Sequence, residues 1–115
     1  MSGAILKDVH YYDVKFEVEA DILALDRIYV FDDDNFTAND YQLLDELYRQ
    51  LPGYLANAQY PCWFGENDEA GFYLMPSMEP PGLQINGRIP QADFAKWEKR
   101  FHELLAQANF PYRKL

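Results

Sequence analysis

A chain of 115 residues, nearly half of them apolar and 17% aromatic, sets the expectation of one domain, residues 1–115, around one core. Its Phe, Tyr and Trp side chains can each bury roughly 150–250 Å², so no staple is needed, and Cys62, the single cysteine, has no second thiol to pair with. The net charge of −9 argues against nucleic acid and anionic membrane as partners and favours encounter with basic ones.

The charge is uneven. Residues 1–87 carry 16 acids and 4 bases, and residues 88–115 carry 3 acids and 6 bases. The opening stretch MSGAILKDVHYYD lacks the apolar run of a signal peptide, and no later run approaches the ~18 apolar residues of a membrane span. The expectation is a cytoplasmic protein.

In chain order, Tyr12, Val14, Phe16 and Val18 alternate with Asp13, Lys15, Glu17 and Glu19, the period of a half-buried strand. Leu25 to Phe31 is a second β-branched and aromatic run, paired antiparallel with the first through a turn at Ala20-Asp21. Thr37 followed by Asp40 resembles a capping box with Asp in the place of Glu. Tyr41, Leu44, Leu47, Tyr48 and Leu51 then recur at helical spacing, predicting a helix from about Ala38 to Leu51, stopped by Pro52-Gly53.

Three short strands follow, at Tyr60 to Phe64, Phe72 to Met78 and Leu83 to Ile89. The GENDEAG loop and the Glu79-Pro80-Pro81-Gly82 turn join them as hairpins. Pro76 cannot donate a ladder hydrogen bond, which puts its strand at an edge or a bulge. A second helix starts near Pro90, carries Phe94, Trp97, Phe101, Leu104 and Leu105 on one stripe, and ends around Ala108. The expected fold is α+β, a mostly antiparallel sheet of about five strands with two helices on one face, in the order β-β-α-β-β-β-α.

Catalytic signatures are absent: no phosphate-binding loop, dinucleotide fingerprint or nucleophile elbow occurs. Pro61-Cys62 lacks the second cysteine and the His-x-Glu triplet of a zinc deaminase. A Cys62–His102 nucleophile pair is conceivable, since a nearby imidazole activates a thiolate, but a lone cysteine in an apolar strand more often packs. The run Asp32-Asp33-Asp34-Asn35 departs from the calcium-loop pattern at Phe36 and Thr37, and its acids also suit a helix N-terminus. The reading is therefore a protein that is not an enzyme and holds no metal or cofactor.

Trp63-Phe64 and Phe72-Tyr73 flank the acids Glu66, Asp68 and Glu69. Adjacent strand residues face opposite sides, so one member of each aromatic pair faces outward unless a helix covers that side and leaves only a solvated loop. Exposed aromatics beside acids suit a basic protein partner. The candidate docking residues are Asp32, Asp33, Asp34, Trp63, Glu66, Asp68 and Glu69.

The stretch LPGYLANAQYPCWFGENDEAGFYLMPSMEPPGLQINGRI, with the small size and acidity of the chain, resembles the small cytosolic bacterial immunity proteins that neutralise secreted antibacterial toxins. The likeness is one of overall character and carries over no individual residue. It implies inhibition by tight binding over the active site of a basic toxin that acts in the cytoplasm, with a nuclease favoured because its cleft is basic. A regulatory or scaffolding subunit of another complex, and a small enzyme of unfamiliar type, are the alternative readings.

Overall fold

The computed structural model describes residues 9–114; the segment 1–8, part of the stretch read as lacking a leader, lies outside the described residues. Strands β1 (Tyr11–Glu19) and β2 (Ile22–Tyr29) form a hairpin, helix α1 (Ala38–Arg49) follows, strands β3 (Tyr73–Glu79) and β4 (Gly82–Pro90) form a second hairpin, and helix α2 (Gln91–Gln107) comes last. The fold is α+β: four antiparallel strands in the order β1-β2-β4-β3, with two helices.

The β1–β2 turn is two residues long, and both Ala20 and Asp21 take left-handed backbone angles, with φ of 50° and 65°. Such a turn matches the twist of the strands it joins. Thr37 caps α1 as its spacing predicts: its side chain accepts from the Asp40 amide, and the Asp40 carboxylate accepts from the Thr37 amide.

Alternation along the central strands separates two faces. Leu23, Leu25 and Tyr29 of β2, with Leu83, Ile85 and Ile89 of β4, join one core with Leu44, Leu47 and Tyr48 of α1 and Phe94, Trp97, Phe101 and Leu105 of α2. Of the alternate residues, Ile28 is buried between Tyr12 and Gln84, Ala24, Asp26, Gln84 and Asn86 are half-buried and Arg88 is exposed, so most of this second face stays uncovered among the described residues. Phe110 closes one end of the core, stacked on Phe36.

The expected strand at Tyr60 to Phe64 does not form. Only Trp63 pairs, through bridges to Tyr54 and Leu74. Pro61 has no amide to donate, and Phe64 turns the chain away with a φ of 70°. Its amide donates to the Gly53 carbonyl at 2.8 Å, and its ring lies where a side chain at Gly53 would sit. The GENDEAG segment is therefore not a hairpin turn but a loop holding a 3-10 turn at Asp68–Ala70.

Candidate functional site

The two acidic groups stand apart. The Glu66–Glu69 segment leads into β3, whose first residue Tyr73 pairs with Arg88, whereas Asp32–Asp34 follow β2, whose last residue Tyr29 pairs with Leu83. Arg88 and Leu83 are five residues apart on β4, about 17 Å at strand rise. The groups thus lie off opposite ends of the sheet and do not form one rim.

Asp32, Asp33 and Asp34 face a cation that spacing could not reveal. Asp33 accepts from Arg113, and the other two carboxylates stand 3.8 Å from the same guanidinium. The arginine is brought there by the C-terminal segment, where Phe31 bridges Tyr112 and the Asp32 amide donates to Pro111. Asp34 is the exposed member; Asp32 and Asp33 are half-buried. Among the described residues no group of three or more His, Cys, Asp or Glu side chains could hold a metal ion, and no helix is long and apolar enough to cross a membrane.

Trp63 requires a correction. It is a docking candidate only where its side of the strand is left open, and it is fully buried. Its ring meets Tyr48 edge-on at 5.2 Å and Trp97 edge-on at 5.2 Å, and a large apolar ring gains more in that aromatic slot than at a surface. Phe72 is the outward member of the flanking aromatics. Glu66, Asp68 and Glu69 are exposed, with the Asn67 side chain capping the turn by accepting from the Glu69 amide.

Sequence patterning missed the aromatics that do reach the surface beside acids. A groove of about 430 Å³ runs between α1 and β3, lined by Tyr41, Tyr48, Tyr60, Met75 and Met78, with Asp45 on its wall. Tyr60 also lines an adjoining hollow of about 150 Å³ with Cys62, Glu66 and Asn67. The Tyr60 side chain is 66% exposed and joins an apolar groove to the acidic loop. Composition places Tyr60 in a strand, and its exposure follows from the failure of that strand to form. The exposed bases Lys96, Lys99 and Arg100 gather on α2 instead.

A second polar cluster is buried. Arg27, on the covered face of β2, is 2% exposed. Its Nε and Nη2 donate to both oxygens of Asp13 at 2.7 and 3.3 Å, and its Nη1 donates to Glu98 and, at 3.3 Å, to the Tyr29 hydroxyl. The guanidinium lies 4.0 Å from the centre of the Tyr11 ring. Burial alone pulls its pKa down, but the bonds to Asp13, Tyr29 and Glu98 outweigh this and hold it above its ordinary value. Tyr29 and His102 Nε2 are 2.8 Å apart. Burial lowers the His102 pKa, which favours the neutral ring.

Cys62 and His102 have different neighbours. Burial pushes the Cys62 thiol up, and the Glu66 carboxylate adds to the shift, so the thiolate needed for nucleophilic attack is disfavoured. His102 is engaged with Tyr29 and lies beside Tyr11.

Comparison with protein-family models, with curated proteins and with solved structures finds no match to this chain.

Proposed function

We propose that this chain is a binding protein without catalytic activity that neutralises a basic toxin acting in the cytoplasm, a nuclease in the favoured case, by covering its active site, in the manner of a small bacterial immunity protein. The observation that carries the reading is Tyr60, which is shared between an apolar groove and an acidic hollow. Exposed Tyr41 and Tyr60 supply aromatic anchors, and Asp45 and Glu66 supply charge at their edges. This assigns docking to the α1–β3 groove and the Glu66–Glu69 loop rather than to Trp63. The excess of acids over bases in residues 1–87 accelerates encounter with a basic surface and is screened by salt, while desolvated tyrosines slow release.

The test begins with affinity capture from the native host, comparing the protein with a Tyr60→Ala/Glu66→Gln variant shown to be folded. A basic partner retained by the first and lost by the second is then assayed for its own activity. Stoichiometric loss of that activity on adding this protein is the expected result. A retained partner whose activity is unchanged points to a scaffolding role, and retention that ignores both substitutions removes the groove from the interface.

A further inference from the structure

The two edges of the sheet are treated differently. On the β3 side, Trp63 bridges Leu74, and Pro76, paired in register with Ile85, has no amide to offer the outer edge, so pairing there is already used or blocked. On the β1 side, no described segment pairs with the outer edge of Tyr11–Glu19, which contains neither Pro nor Gly. All nine residues of β1 are exposed, and five of them are apolar: Tyr11, Tyr12, Val14, Phe16 and Val18. An open edge of this kind is a template for another strand.

The β1 sequence itself indicates which strand fits. A shift of register between Asp13 and Lys15 bends the ladder, leaving Lys15 to Glu19 as the regular stretch. Lys15 and Glu17 pair with Asp26 and Ala24 on the uncovered face, whereas Phe16 pairs with Leu25 on the covered face, its ring 6.1 Å from that of Phe94. When two copies of this stretch run antiparallel about a two-fold axis at Phe16, Lys15 of each copy stands opposite Glu17 of the other. The two Phe16 rings then meet beside Phe94, and Val14 stands opposite Val18. Shifting the axis to Lys15, Glu17 or Val18 puts Lys15 against Lys15, Glu17 against Glu17 or Glu17 against Glu19, and like charges directly opposite are destabilising. Counting along this register brings Asp13 to Glu19 of the other copy, but the register shift separates them: Asp13 pairs with Arg27 on the covered face, whereas Glu19 pairs with Ile22 on the uncovered one.

We propose that β1 is a self-association edge, at which two copies of this chain join through antiparallel β1–β1 pairing centred on Phe16 to make one eight-stranded sheet. Within each copy Lys15 and Glu17 already lie 3.9 Å apart, so the paired strands carry a closed ring of four alternating charges. The α1–β3 grooves fall at the two outer ends of that sheet and stay open, so self-association and docking at the groove use separate surfaces.

Sedimentation equilibrium of the full chain across the micromolar to millimolar range tests this. The expected result is a monomer–dimer equilibrium in which Lys15→Glu alone and Glu17→Lys alone each weaken the dimer about tenfold or more. The double variant Lys15→Glu/Glu17→Lys should restore it, because the charge ring reforms with its signs exchanged. Far-UV circular dichroism identical across the set shows that the monomers are folded. A chain that remains monomeric throughout, a dimer that ignores the single reversals, or a double variant as weak as the singles would each overturn the proposal.

Discussion

The indole nitrogen of Trp63 donates to the main-chain carbonyl of Tyr48 at 3.0 Å, whereas that of Trp97, 5.2 Å away between ring centres, has no acceptor among the described residues. Both rings are fully buried, so the two tryptophans differ in what their polar atom does. Replacing each by Phe removes a similar volume but a different hydrogen-bond state. Trp63→Phe should cost about 1–2 kcal/mol more than Trp97→Phe, since only the first loses a made bond and the second removes an unpartnered buried donor. Urea denaturation of the two variants side by side gives the difference; equal losses would mean that the bond contributes nothing.

Arg27 ties β1 to α2 through Asp13 and Glu98. Arg27→Met leaves the two carboxylates facing each other without a cation. Their side chains keep 29% and 31% of their surface in water, so the loss should fall at about 3 kcal/mol, the low end for breaking a buried pair. Adding Asp13→Asn and Glu98→Gln to Arg27→Met should recover part of it. A triple variant no more stable than the single one would show that packing of the arginine stem, and not charge, is what the site loses.

His102 makes stability depend on pH in a definite direction. Burial depresses its pKa below the ordinary 6.5, Glu98 opposes that shift and Arg27 adds to it, with Tyr29 and Tyr11 as the facing aromatic neighbours. As pH falls through about 6.5 the unfolded chain takes up a proton that the folded ring still refuses, so stability declines from there down to the folded value and is fully present above. His102→Gln removes this dependence and keeps an acceptor for the Tyr29 hydroxyl. Urea midpoints of the protein and the variant, compared at about pH 7.5 and about pH 5.5, should converge at the lower value; a constant gap would refute the assignment.

Ala20 occupies a backbone region that costs an L-residue roughly 1–2 kcal/mol, with a φ of 50°. Ala20→Asn should therefore raise stability by about 1 kcal/mol or less, since Asn tolerates this region. Thermal unfolding reads the gain, and a lower midpoint would show that the turn does not hold the left-handed conformation.

Local signals were the legible ones. The Thr37–Asp40 box, the stripe from Phe94 to Leu105 and the edge position forced by Pro76 all depend on residues close together in sequence, and each appears in the structure. The strand at Tyr60 to Phe64 was misread because composition favoured it while Pro61 and the turn at Phe64 broke its ladder. The same irregularity left the direction of Trp63 open in the sequence: alternation holds within a strand, and in an irregular segment the slot between Tyr48 and Trp97 decides where the ring goes. The Arg27 cluster joins residues 14 and 71 positions apart, and the Arg113 clamp on Asp33 spans 80. Such pairings depend on the assembled fold, so no spacing rule announces them.

The strand order β1-β2-β4-β3 also bears on how the chain reaches this state. Each hairpin, β1–β2 and β3–β4, closes a turn of two residues, and neither needs the other to form. Joining them requires β2 to meet β4, which closes a loop of roughly fifty residues between Tyr29 and Leu83, at an entropic cost of about 3–4 kcal/mol. That central seam is the long-range step of folding. Its amides, at the middle of the sheet and under α2, should be the last to exchange with solvent, while those of β1 exchange through fraying of a single hairpin.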